Sequence, residues 1–175
     1  MVQAKEHATW NCKARLLKYK EDITPFAKDG REAEFHKLFK PFEVIEMEGN
    51  CLLNTGINEM WDLITGVVSG AEHIFDITSA KIGVGDSADE EDATESGLQA
   101  ATNKCHKGME SGYPTSLTQK ATFKASFGSA DANYAWNEWV VQHTGDAGIA
   151  LNRKVEPLGT KSTGTWTLEV DITLS

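Results

Sequence analysis

The sequence predicts a mainly β (α+β) fold: an antiparallel β-sandwich or barrel, with a helix near residues 50–66 and an N-terminal arm. Two observations carry this prediction. The C-terminal half consists of alternating apolar and polar segments separated by Gly, Asn, Asp and Ser turns, a spacing typical of antiparallel sheets. The chain also contains 15 glycines, which favour tight turns. Its 175 residues suit one domain of ordinary size.

The first 45 residues are predicted to form an N-terminal arm and a small helical or extended region, preceding a β-rich structural domain over residues 46–175. Within residues 1–20, apolar side chains recur at every second position, which predicts a strand or extended arm (Trp10, Cys12, Ala14, Leu16). This stretch also holds a local excess of Lys and Arg in an otherwise acidic chain.

A short or broken helix is predicted between the arm and the β-rich domain. Thr24 precedes Pro25, an arrangement typical of an N-cap followed by a proline at the first helical position. Apolar residues at helical spacing follow, and Pro41 ends the segment (Phe35, Leu38, Phe39).

The clearest helical pattern is the stretch "NCLLNTGINEMWDLITG", which begins at Asn50. Asn50 is the predicted cap and Gly66 the predicted end. The apolar residues of this stretch form one stripe, so Met60 and Trp61 are expected to pack in the core (Leu53, Ile57, Met60, Trp61, Ile64).

Charge and composition exclude several classes of protein. A net charge of −9 argues against direct nucleic-acid binding, which needs clustered Lys and Arg. No run of about 20 apolar residues predicts a membrane span, and the N-terminus has charges where a signal peptide would be apolar. Three widely spaced cysteines favour free thiols in a reducing compartment (Cys12, Cys51, Cys105).

No motif predicts a catalytic, cofactor-binding or metal-ligating residue. The acidic loop at residues 86–95 lacks the glycine of an EF-hand, so we expect a solvated charge run rather than a cation site, although carboxylates there could bind Ca²⁺. "GVGD" is not followed by the third glycine and helix of a phosphate-binding loop. The five histidines occur singly, which does not predict a zinc site.

Glu138 lies between Trp136 and Trp139, and this stretch supports three interpretations. An apolar setting could raise the pKa of Glu138 for acid–base catalysis, but we favour a charge that faces solvent or pairs with Arg153 or Lys154. The two tryptophans could stack on sugar rings; packing in a core or an interface is the more common role.

The terminal stretch "GTWTLEVDITLS" is the most regular strand of the chain. Uncovered, its edge would invite strand addition by another subunit, which makes Trp166, Leu168 and Val170 interface candidates. The alternative is a central position in the chain's own sheet. The N-terminal arm is a second candidate, because its basic character suits an acidic surface of a neighbour (Trp10, Lys13, Arg15, Lys18). Trp136 and Trp139 are the remaining interface candidates.

Five stretches together resemble a family of small virion structural proteins of tailed bacteriophages. In order, they are "EMEGNCLLNTGINEMWDLITG", "AKIGVGDS", "GLQAATNKCHKGMESGYP", "ATFKASFGSADANYAWNEW" and "LNRKVEPLGTKSTGTWTLEVDITLS". They cover most of the chain from Glu46 onward, and the resemblance lies in their joint order rather than in any catalytic motif. It implies a structural role and no catalytic residue, and it leaves head and tail locations open.

The sequence therefore predicts a non-enzymatic virion protein without cofactors, assembled in the host cytoplasm. Small size and acidic charge favour a head decoration or cement protein that binds the major capsid protein or other virion proteins, as a homo-oligomer and without membrane contact. The alternatives are a tail, baseplate or fibre component involved in host adhesion and, third, a small hydrolase with a carboxylate dyad.

Overall fold

A computed structural model of the chain describes residues 9–70, 73–145 and 148–175. These residues form ten strands and three helices. The strands are β1 (Trp10–Tyr19), β2 (Glu43–Glu48), β3 (Cys51–Leu52), β4 (Ala80–Gly85), β5 (Lys104–Gly108), β6 (Thr115–Leu117), β7 (Lys120–Phe127), β8 (Ala135–His143), β9 (Ala150–Thr160) and β10 (Thr165–Leu174). The helices are α1 (Thr24–Ala27), α2 (Glu32–Leu38) and α3 (Asn54–Thr65).

The strands form two five-stranded antiparallel sheets, which confirms the predicted fold class. Sheet A has the order β2-β1-β10-β7-β6, and sheet B has the order β3-β9-β8-β4-β5. One apolar core contains side chains from both sheets, including Leu16 and Leu168 of sheet A and Ile82 and Trp139 of sheet B. Period-two alternation gives β1, β7 and β10 of sheet A an apolar inner face, and the core follows from that pattern.

The terminal strand β10 lies at the centre of sheet A. It pairs with β1 along its whole length, from Trp10 opposite Leu174 to Tyr19 opposite Thr165, and with β7 on its other side. The hypothesis that another subunit covers this strand is therefore wrong, and the alternative of a central position is confirmed. Because both neighbours come from the same chain, β10 needs no partner to satisfy its backbone groups.

The predicted N-terminal arm is an integral strand. Residues 10–19 form β1, which pairs with β10 on one side and β2 on the other. The division predicted at residue 45 falls inside β2, and β1 and β2 lie in the same sheet as the C-terminal strand. Residues 1–8 of the predicted arm lie outside the described residues.

The helices agree with the sequence prediction except at their starts. The helix predicted near residues 50–66 is α3, which ends at Gly66 with a positive φ of 71°. Its N-cap is Leu53, not Asn50, whose side chain instead accepts a hydrogen bond from Trp10 Nε1. At α1, Thr24 is the first helical residue and the N-cap is Ile23. No helix among the described residues has the length and apolar character needed to cross a membrane.

Candidate interaction surface

The aromatic and apolar interface candidates of the C-terminal half are buried inside the chain. Trp136 and Trp139 are fully buried, and their neighbours in the core include Trp166, Leu168 and Val170. The Trp136 ring packs edge-to-face against Trp166 at 4.9 Å between centroids. The prediction that these five residues contact another protein is therefore corrected, as is the sugar-stacking alternative for the two tryptophans. Period-two alternation marks a buried face but not what covers it.

The basic residues of β1 pair with acidic residues of the same chain. On the outer face of sheet A, charge alternates from strand to strand in four columns: Glu46 and Glu48 on β2, Lys13 and Arg15 on β1, Glu169 and Asp171 on β10, and Lys120 and Lys124 on β7. Lys13 lies 3.2 Å from Glu48, Lys120 lies 2.9 Å from Asp171, and Arg15 donates to Glu169. The acidic partners of Lys13 and Arg15 therefore lie on β2 and β10 of the same chain. The hypothesis that these two residues bind an acidic surface of a neighbour is corrected.

Lys18 and Trp10 occupy the two ends of β1. Lys18 is buried; its Nζ donates to the Leu158 carbonyl at 2.8 Å, lies 3.0 Å from Glu43, and stands 4.3 Å from the centroid of the Trp166 ring. The contacts of Lys18 therefore lie within the chain, and Lys18 is not an interface residue. Trp10 is half-buried and stays at the surface at the other end.

The outer face of sheet B holds a buried ion pair. Arg153 of β9 and Glu138 of β8 are both fully buried, with Nε and Oε2 2.7 Å apart. Glu138 also accepts the backbone N–H groups of Gln99 and Ala100, at 2.9 and 2.7 Å. The prediction that Glu138 pairs with Arg153 is confirmed. The alternative that its charge faces solvent is wrong, because Glu138 is fully buried. Both carboxylate oxygens of Glu138 accept hydrogen bonds from within the chain.

The acidic loop at residues 86–95 folds onto this ion pair. Arg153 donates to the backbone carbonyls of Asp89 and Glu90 and to the Glu95 carboxylate at 2.9 Å, and Glu91 accepts the Val155 N–H at 2.7 Å. The loop is therefore tied to β9 and is not simply a solvated charge run. Within the described ranges, no group of three or more His, Cys, Asp or Glu side chains is placed to hold a metal ion.

A third polar network joins α2 to sheet A. His36 lies between the Tyr19 hydroxyl (3.0 Å) and the Glu110 carboxylate (2.9 Å). Burial acts to raise the pKa of Glu110, but hydrogen bonds from His36 and Ser126 and the charge of Lys124 outweigh it and hold the pKa below its usual value. The network keeps Glu110 ionised and anchors the helical segment to the sheet.

The three cysteines are free, as the sequence predicts. Burial, with the nearby charge of Asp171, raises the pKa of Cys12 to about 12, and burial also raises the pKa of Cys105. A thiol with a raised pKa is a poor nucleophile at neutral pH, so neither residue is a candidate for covalent chemistry.

Three large and exposed apolar side chains lie on α3 and the turn after it. Trp61, Ile64 and Val67 expose 61%, 74% and 73% of their surface, and we call these three residues the α3 face. Trp61 and Ile64 are three residues apart and thus neighbours on the helix surface. The expectation that Trp61 packs in the core is wrong. A large apolar surface exposed on a folded domain is typical of a protein interaction site.

Close contact with sheet B explains why α3 turns these residues outward. A Cβ on Gly56 would lie 2.6 Å from the Leu151 carbonyl oxygen, so only glycine permits this approach. Thr55 Oγ1 donates to the Ala150 carbonyl at 2.8 Å, and buried Glu59 lies 2.8 Å from His73. The contact of α3 with β9 is therefore made by Thr55 and Gly56. Met60 packs against the core as the sequence predicts, while Trp61 and Ile64 are left outside.

An apolar cleft of about 220 Å³ opens at the end of the sandwich next to α3. Its apolar lining joins α3 to strands of both sheets (Trp10, Met60, Phe123, Leu151, Ile172, Leu174). Among the described residues that line the cleft there is no carboxylate, histidine or cysteine. Such a lining suits an apolar side chain better than a reacting group.

Sequence reasoning missed both the α3 face and the charge columns. Gly56 inside the helical pattern is the signal for α3, since a helix that approaches a strand through a glycine leaves part of its apolar stripe facing outward. The signal for the columns is charge of one sign at every second residue of a strand, as at Lys13 and Arg15.

No family model, no curated protein and no solved structure matches the chain.

Proposed function

We propose that this protein is a non-enzymatic structural component of a tailed-bacteriophage virion, assembled in the host cytoplasm. Within the virion, we propose that it decorates the head and stabilises it through contacts with the major capsid protein. The resemblance of its sequence from Glu46 onward to small virion proteins supports the first statement.

The α3 face is the observation that carries the proposal. Trp61, Ile64 and Val67 are exposed, and the core of the domain is built from other residues. Fully burying side chains of this size against a partner contributes about 1.5–3 kcal/mol each, and tryptophan is enriched among residues that dominate binding. A protein that binds only the assembled lattice stabilises it by mass action.

The tail, baseplate or fibre location is the alternative within the same class. Its adhesion version relied on Trp136 and Trp139 as a sugar platform, and both rings are fully buried. The hydrolase alternative relied on Glu138, whose carboxylate is occupied by Arg153 and two backbone N–H groups. The structure therefore supports contact between proteins better than contact with a glycan.

The test is made in a tailed phage whose genome encodes this chain. We expect the protein in purified virions by mass spectrometry, and density for it on the head in a particle reconstruction. Particles that lack it should lose their DNA at a lower temperature than complete ones. Density on the tail would replace the head location by the alternative, and absence of the chain from virions would overturn the proposal.

A variant pair tests the surface itself. Replacing both Trp61 and Ile64 by serine should lower the copies per particle at least tenfold, because the loss of two buried apolar anchors weakens binding. The control is Leu38→Ser, which removes an apolar residue exposed to 60% on α2, near the opposite end of β1. Circular dichroism confirms that both variants fold. Equal occupancy of both variants would exclude the α3 face as the contact.

A further inference from the structure

The open edge of sheet A is a second surface with specific chemistry. Strand β2 (Glu43–Glu48) is the last strand of sheet A, and no described segment of the chain pairs with its outer side. It is the longest of the four terminal strands: β6 has three residues, β3 has two and β5 has five. An uncovered strand edge is a template on which a further strand can add.

The register of β2 determines which backbone groups face outward. The Gly49 N–H donates to the Cys12 carbonyl at 2.9 Å, so Cys12 and Gly49 form a hydrogen-bonded pair. Hydrogen-bonded and non-hydrogen-bonded pairs alternate along an antiparallel ladder. The N–H and C=O groups of Val44, Glu46 and Glu48 therefore point away from β1 and are available to a new strand.

The residues on the two faces of β2 indicate which side chains an added strand should have. On the inner face Met47 is buried and Ile45 packs against the core, so an added strand would extend this face with apolar side chains. On the outer face, Glu46 and Glu48 of β2 form the last of the four alternating columns. A strand added beside them would continue the alternation with basic side chains. Like charges on directly opposite residues destabilise a sheet, which disfavours pairing of β2 with the β2 strand of a second copy.

Glu46 supplies the charge for such a pairing. It forms no ion pair with the described residues, because the Arg15 guanidinium opposite it turns to Glu169. Beside it lies a depression of about 220 Å³, and the described residues that line it include four carboxylates and two cations. The carboxylates are Glu46, Glu48, Glu169 and Asp171, and the cations are Lys13 and Arg15.

We propose that β2 binds an extended segment of another protein that carries Lys or Arg at alternate positions with apolar residues between them. The segment adds as a sixth strand of sheet A. Its backbone pairs with Val44, Glu46 and Glu48, its basic side chains face Glu46 and Glu48, and its apolar side chains lie beside Ile45 and Met47. Backbone pairing supplies affinity, and the column of charge supplies selectivity.

The probe is a capped six-residue peptide of alternating lysine and valine, titrated into the uniformly ¹⁵N-labelled full chain. We expect saturable shifts of the Val44, Glu46 and Glu48 amide signals and weaker binding at higher salt. A peptide of alternating glutamate and valine should not bind. Glu46→Lys should weaken the lysine peptide at least tenfold, because it places like charge opposite the incoming strand.

The matched control is Glu90→Lys, which changes the net charge equally on the exposed loop of sheet B. It should alter the affinity less than twofold. Equal binding of both peptides, unchanged affinity of Glu46→Lys, or shifts confined to other edges would each overturn the proposal. So would concentration-dependent shifts of the three amides without peptide, which would mean that a second copy occupies the edge. The test needs no virion, so its failure would leave the proposed function standing, and the converse also holds.

Discussion

The outer faces of the two sheets both carry ion pairs, but in opposite environments. On sheet A, the Lys13 and Glu48 side chains meet at 3.2 Å while each remains more than 70% exposed. On sheet B, Arg153 and Glu138 meet at 2.7 Å with no exposure, beneath the loop at residues 86–100. A pair of cation and carboxylate therefore has two different roles in the two sheets.

The difference shows how burial changes what an ion pair contributes. An exposed pair is screened by water and contributes about 0.2–1 kcal/mol, but a row of them specifies which strands lie side by side. A buried pair contributes little in net terms when complete, yet removing one partner leaves an uncompensated charge and costs about 3–5 kcal/mol. In sheet A, the exposed ion pairs therefore favour the observed pairing of strands. In sheet B, the buried ion pair holds a loop in place.

The largest expected effect is at Arg153. Arg153→Met should lower the free energy of unfolding by about 3–5 kcal/mol, because Glu138 stays buried without its cation and the carbonyls of Asp89 and Glu90 lose their donor. The measurement is urea denaturation, with Lys13→Met on sheet A as the control, expected to lose at most about 1 kcal/mol because its pair with Glu48 is exposed. Equal losses in the two variants would contradict the contrast between the sheets.

The contact between α3 and β9 should be the next most sensitive to substitution. Gly56→Ala places a Cβ 2.6 Å from the Leu151 carbonyl oxygen, so the helix must move, at a cost of roughly 1–3 kcal/mol. Asn58→Ala, at an exposed position of the same helix, is the control and should change stability little. A stable Gly56→Ala variant with unchanged backbone signals in β9 would show that α3 packs more loosely than described.

The buried carboxylate of Glu110, which lies beside sheet A, gives a pH-dependent prediction. Glu110→Gln should lower stability at pH 7 by roughly 1–3 kcal/mol, because the ionised carboxylate accepts from His36 and Ser126 beneath α2. The folded-state pKa of Glu110 is lowered, so its contribution is present above the unfolded value of about 4.3 and is lost as pH falls through the folded value.

The gap in stability between the parent and Glu110→Gln should therefore narrow below about pH 4. Denaturation midpoints measured from pH 7 down to pH 3 check this. A gap that stays constant over the range would mean that the carboxylate is not held ionised by this network.

The smallest expected effect is at the exposed columns of sheet A. Lys13→Glu alone should cost at most about 1 kcal/mol, because it places like charge opposite Glu48 and Asp171. Adding Glu48→Lys should restore part of that loss, and high salt should diminish both changes. A double-mutant cycle measures the coupling, and a coupling energy of zero would show that the columns do not contribute to register.

The alternating patterns of the strands predicted most of the fold. Period two at Trp166, Leu168 and Val170 showed which face of β10 is buried, and turn residues marked the strand ends. The same pattern could not show that β1 and β7 flank β10, because alternation specifies a face and leaves the neighbours along the edge undetermined. The sequence therefore left an open edge and a central position of β10 as alternatives, and the pairing with β1 and β7 shows the central one.

The candidate surface was less predictable than the fold. The apolar stripe of α3 was visible in the sequence, but its orientation depends on Gly56, which lets the helix approach Leu151 through a polar and glycine-containing side. Nothing local to Trp61 distinguishes a core tryptophan from an exposed one. Likewise, the acidic loop reads as solvated until Arg153, about 60 residues further along the chain, is placed beneath it.

By itself, the sequence determined the fold class, the strand and helix types, the free thiols and the acidic character of this protein, because these depend on local spacing and composition. Only the tertiary structure decided which strand edges are covered, which charges pair, and that Trp61, Ile64 and Val67 face outward. Those features depend on contacts between segments far apart in the chain. Their free energy comes from burial and pairing that no local pattern specifies.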